Sequence, residues 1–158
     1  MADVKYRHTV NYKGLLHTNL NGEVVWVRPA YYAVSHMASL LTPQMKADGE
    51  LAYKTPSKKS LSVLAVSKDG RRVGVMVWQK GEIPSDSISQ EKLDLTVSGL
   101  ALKDPVWVEP VTGRICELEK WSVKGGSMNF KGLPVWDSPV FIMERAEVPS
   151  VSGESGNQ

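Results

Sequence analysis

"SLSVLAVSKDGRRVGVMVWQ", residues 60–79, sets two apolar runs rich in β-branched residues on either side of Lys68-Asp69-Gly70. Asp-Gly tolerates the positive φ angles that a two-residue hairpin needs, so the stretch predicts two antiparallel strands and a tight turn. The same period of two continues downstream. In "KLDLTVSG" (92–99), Leu93, Leu95 and Val97 alternate with polar partners, as in a strand with one buried face. "DPVWVEP" (104–110) lies between prolines, and Val111-Thr112-Gly113 turns the chain into "RICELE" (114–119). "WSVK" (121–124), Gly125-Gly126, "SMNFKG" (127–132) and "SPVFIME" (138–144) complete the series. Short strands at this spacing, with Gly or Pro at nearly every junction, predict a mainly β fold: an antiparallel β-sandwich.

Upstream the period changes. "GLLHTNLNGEVVWVR" (14–28) holds two short apolar runs around Asn21-Gly22, a second hairpin signal. "RPAYYAVSHMASLLTP" (28–43) reads as a helix over 29–41, with Pro29 at a first helical position and Pro43 preventing continuation. Tyr31, Val34, Ala38 and Leu41 define one apolar stripe, expected to pack on the sandwich. On that expectation Tyr31→Asp destabilises the fold by several kcal/mol. The chain divides into residues 1–46 (hairpin and helix), 47–147 (sandwich) and a small, polar tail, 148–158, expected to lack fixed structure.

Composition excludes several classes. The chain has 158 residues, enough to bury roughly 70% of its unfolded surface without a metal or disulfide. A net charge of +2 gives no case for nucleic acid. The lone Cys116 forms no internal disulfide or cysteine-based zinc site and reads as a small core residue. No stretch approaches the ~20 apolar residues of a membrane span. "MADVKYRHTV" has no apolar secretion core. Taken as it stands, the sequence reads as cytoplasmic; with a start further upstream the compartment is open.

Chemistry is sparse. His8, His17 and His36 have no metal-ligand spacing, and no cofactor is called for. "VKGGSMN" and "KDGRR" lead into no helix that could complete a phosphate loop, and "SGESG" in the tail is not a nucleophile elbow. Glycoside hydrolysis needs two carboxyl groups about 5 to 9 Å apart. The candidate pair is Asp137 with Glu109 or Glu144, although Asp137 before Ser138-Pro139 reads better as a turn residue. Five tryptophans remain. Trp78, Trp107 and Trp136, with Asp137, are the carbohydrate-contact candidates, since flat indole faces stack on sugar rings; they equally suit a core or an interface. Lys54, Lys58, Lys59, Arg71 and Arg72 read as a basic cluster on a solvated sheet edge.

Three motifs together carry a resemblance. Residues 28–34, "RPAYYAV", follow the K/R-P-A-Y-Y-A-hydrophobic pattern of the last helix of a catalytic (β/α)8 barrel in retaining-type glycoside hydrolases. "DPVWVEPVTGR" (104–114) and "PVWDSPV" (134–140) resemble strand motifs of the β-sandwich that follows the barrel in such enzymes. The resemblance spans roughly residues 5–146 and implies a barrel remnant followed by an accessory sandwich. That family's catalytic glutamates stand on upstream barrel strands and match no position here. The expectation is therefore a non-catalytic accessory domain that braces a glycoside hydrolase barrel or contacts polysaccharide. The alternative is a stand-alone carbohydrate-binding module using surface tryptophans.

Overall fold

The computed structural model describes residues 15–81 and 91–149, together with the two-residue strands β1 (Lys5–Tyr6) and β2 (Thr9–Val10), which pair with each other. A hairpin of β3 (Leu16–Thr18) and β4 (Val24–Val27) leads through Arg28 into α1 (Pro29–Leu40). Ten strands follow: β5 (Met45–Glu50), β6 (Tyr53–Lys54), β7 (Leu61–Lys68), β8 (Arg71–Gln79) and β9 (Glu91–Ser98), then β10 (Pro105–Glu109), β11 (Arg114–Glu117), β12 (Trp121–Lys124), β13 (Ser127–Val135) and β14 (Val140–Glu144). They form two antiparallel sheets, ordered β11-β10-β14-β8-β7-β5 and β12-β13-β9-β6. The expected sandwich is present, and α1 packs on it.

The turns follow their sequence chemistry. Asp69 and Gly70, at φ 52° and 76°, form the tight connection between β7 and β8. Gly125 and Gly126, at φ 59° and 72°, do the same between β12 and β13. Both segments considered for phosphate loops are therefore hairpin turns.

β14 occupies the middle of the six-stranded sheet, pairing with β10 on one side and β8 on the other. Its residues alternate between two cores. Val140 and Ile142 face the second sheet, among Leu95, Phe130 and Leu133. Phe141 and Met143 point the opposite way, towards α1, among Val66, Val73 and Val106. Val140, Phe141, Ile142 and Met143 are each 0% exposed, which explains a run with no polar alternation. The sheet is thus one interior layer of three, with the helix on one face and the smaller sheet on the other.

Just upstream, β13 bulges between Phe130 and Leu133 and continues through Pro134, so the corner lies at 136–139. Gly74 lets β8 approach β14 closely: a Cβ there would lie 2.6 Å from the Ile142 carbonyl oxygen and against the Met143 sulfur.

The helix docks differently from the expected stripe. Leu40 is its buried residue, with Met37 and Leu41 packed beside it on the core. Tyr31 and Val34 are 37% and 53% exposed, and Ala38 is exposed too. Tyr31 precedes Leu40 by about two and a half turns and so faces the opposite way. On the docked side His36 reaches the β10–β11 turn, where its Nδ1–H donates to the Pro110 carbonyl at 2.8 Å. Gly113 leaves room for the ring; a Cβ would sit 2.8 Å from its Nε2. The large penalty expected for Tyr31→Asp falls away with the stripe.

Candidate functional surface

The sugar-contact candidates gather near the 136–139 corner without forming a platform. Trp107 is 4% exposed and belongs to the inter-sheet core. Its Nε1–H donates to the Pro134 carbonyl at 3.1 Å. Trp136 leans on it, ring centroids 5.0 Å apart and planes tilted by 41°, with Asp137 half-buried after it. The Gln79 amide donates to the Trp136 carbonyl at 2.9 Å, which brings Trp78 near in the chain path. Strand alternation, however, puts half-buried Trp78 on the opposite face of the sheet from Val77 and Gln79. A stacking surface needs an open indole face, and Trp107 has none. It is a core residue.

The carboxylates considered for hydrolysis have other partners. Glu109 accepts backbone N–H bonds from Val111 at 2.6 Å and Thr112 at 3.1 Å, and the Thr112 hydroxyl also bonds it. Glu144, 8% exposed, accepts the amides of Lys103 and Asp104, both at 2.9 Å. Each fixes a turn. Asp137 and Glu144 also flank opposite ends of a five-residue strand, about 13 Å long, too far apart to act across one glycosidic bond. Glu144 is not placed to work with Asp137.

His17 pairs across its hairpin with Trp26, and His36 serves the helix contact; His8 lies outside the described residues, as does the tail from residue 150. Among the described residues no three His, Cys, Asp or Glu side chains gather as a metal site requires. The expected basic cluster is dispersed: Arg71 pairs with Glu147, Arg72 with Asp48, and Lys59 donates to Gln79. Half-buried Cys116 packs against the inter-sheet core.

A surface that the sequence reading passed over is apolar. Val24, Val25 and Trp26 are 52%, 57% and 53% exposed. Consecutive strand residues point to opposite faces, so both faces of this hairpin are apolar and open. Leu20 at its turn is exposed as well, and so are Tyr31, Tyr32 and Val34 on the helix that follows one residue beyond β4. Arg28 lies over the Trp26 ring at 5.7 Å, and Tyr31 and Tyr32 meet edge to face. An isolated two-stranded hairpin is marginal in water, and contiguous apolar patches of this kind mark contact surfaces. The signal was present in "EVVWV", where alternation fails because neither face is polar.

A scan of protein-family models, a search of curated proteins and a search of solved structures each find no match to this chain.

Proposed function

We propose that this chain is a non-catalytic β-sandwich accessory domain of a glycoside hydrolase, seated on a catalytic (β/α)8 barrel through the β3–β4 hairpin and the outer face of α1. The exposed apolar surface of Val24, Val25, Trp26, Tyr31 and Val34 carries this reading. The sandwich closes a core of its own, whereas these side chains stay between 37% and 57% exposed. They also include the residues of "RPAYYAV" that resemble the last helix of such a barrel, so the proposed occupant is the barrel that helix would complete. The engagement of Glu109 and Glu144 in turns supports a bracing rather than a bond-breaking role.

Hydrogen exchange tests the docking. The chain is measured alone and joined to a catalytic (β/α)8 barrel of a retaining-type glycoside hydrolase. Amides of residues 16–34 are expected to slow by about tenfold or more in the joined protein, and the chain alone is expected to leave aryl glycosides intact. Equal exchange in both forms overturns the docking. Hydrolysis by the chain alone, lost in Asp137→Asn, overturns the non-catalytic reading.

A further inference from the structure

We infer that the outer face of the four-stranded sheet binds an anionic polysaccharide, a linear sugar polymer carrying carboxylate or sulfate groups. The outer face of the larger sheet is covered by α1; this one is open. Strand register lays Ser122, Asn129, Thr96 and Lys54 in one row across β12, β13, β9 and β6. The Thr96 hydroxyl donates to Asn129 Oδ1 at 2.8 Å, which orders the middle of the row. Two adjoining depressions, of about 240 Å³ and about 530 Å³, meet at Asp94 and Lys131 and make up a trough.

Lys54, Lys92, Lys120 and Lys131 border the trough, and all four are exposed. Among the described residues none of these four lysines has a carboxylate within ion-pairing distance. Three acids, Asp94, Glu117 and the exposed Glu119, face the four lysines along the trough. Asp94 accepts the Gly132 amide at 3.0 Å, and Glu117 is bonded to Arg145. Strand alternation keeps Lys131 on the trough side with Asn129, and the bulge between Phe130 and Leu133, with Gly132 at φ 63°, returns Leu133 to the core. Bulges commonly re-aim a side chain in this way.

The shape of the charge identifies the ligand. Lys54 stands opposite Thr96, and Lys92 lies four residues further along β9, about 13 Å away. Ammonium groups spread along a trough match a polymer with charges at intervals better than a single phosphate. Between them, Ser122, Thr96 and Asn129 offer donors and acceptors to sugar hydroxyls. Phe130, beneath the trough, is 1% exposed with its ring in the inter-sheet core, so the bases of a nucleic acid meet no stacking surface there. The choice of a polysaccharide rests on the accessory-domain reading; the site itself does not.

Affinity electrophoresis of the full chain tests it, in gels holding polygalacturonate, carrageenan or neutral xylan, with single-stranded DNA as competitor. Retardation by at least one of the two polyanions is expected, with none by xylan. The triple variant Lys54→Gln/Lys92→Gln/Lys131→Gln is expected to lose at least about tenfold in affinity with an unchanged melting temperature. Lys80→Gln, on an exposed lysine outside the trough, is expected to bind as the parent does. Asn129→Ala keeps every charge and is expected to weaken binding severalfold. The proposal is overturned by no retardation on either polyanion at low salt, by a triple variant equal to Lys80→Gln, or by Asn129→Ala binding undiminished, which would mark simple ion exchange. Stronger competition by DNA than by free polyanion overturns the polysaccharide assignment. None of these outcomes depends on docking to a barrel, which the exchange experiment reads separately.

Discussion

"VVWV" in β4 and "VFIM" in β14 are nearly interchangeable as composition, yet every residue of the second is 0% exposed and three of the first are more than half exposed. Apolarity is the same; the neighbours differ. β14 has a strand on each side, a sheet beneath and a helix above, so each side chain leaves water, worth about 1.5–3 kcal/mol for a large apolar group. β4 has a single partner strand, which satisfies backbone hydrogen bonds and covers little else. The contrast separates a finished interior from a surface awaiting a partner.

Substitutions can break that contrast. Phe141→Ala removes a ring from the helix-side core and is expected to cost about 3–5 kcal/mol in urea unfolding, whereas Trp26→Ala on the isolated chain should stay within about 0.5 kcal/mol. Similar losses at the two positions would collapse the distinction. Gly74→Val forces β8 away from Ile142 and Met143 and is expected to cost about 1–3 kcal/mol, visible as a lower denaturation midpoint. His36→Leu leaves the Pro110 carbonyl without its donor and is expected to cost about 1 kcal/mol. Faster amide exchange confined to α1 would show that the histidine sets the rotation of the helix. Tyr31→Asp sharpens the comparison most finely: an isolated chain unmoved within about 0.5 kcal/mol, but weakened association with a barrel in a pull-down.

Much of the sandwich was legible because turn chemistry and alternation agreed. Asp69-Gly70 and Gly125-Gly126 fix two hairpins, and all eight strand segments read from the sandwich sequence are present. β5, "MKADGE", escaped because it is a largely exposed, polar edge strand with a register shift between Ala47 and Glu50. The helix was legible, but its orientation was not. Both of its sides carry apolar residues, and a polar one, His36, makes a contact on the docked side. Tryptophan was equally ambiguous: the letter at 107 does not reveal that the indole is sealed under Trp136. The trough draws on residues from four strands and two turns, a grouping that only register creates.

The position of β14 also orders events during synthesis. The strand that joins β10 to β8 is the last of the set to leave the ribosome, with its partner residue Val77 more than sixty positions earlier than Val140. Until it arrives, the larger sheet is two separate halves, and loop-closure entropy opposes their meeting. The nascent chain must therefore carry bare β8 and β10 edges, the form in which such proteins aggregate. A chain in which residues 140–144 are withheld, by truncation or by a pause before they emerge, is the form of this domain that most needs a chaperone.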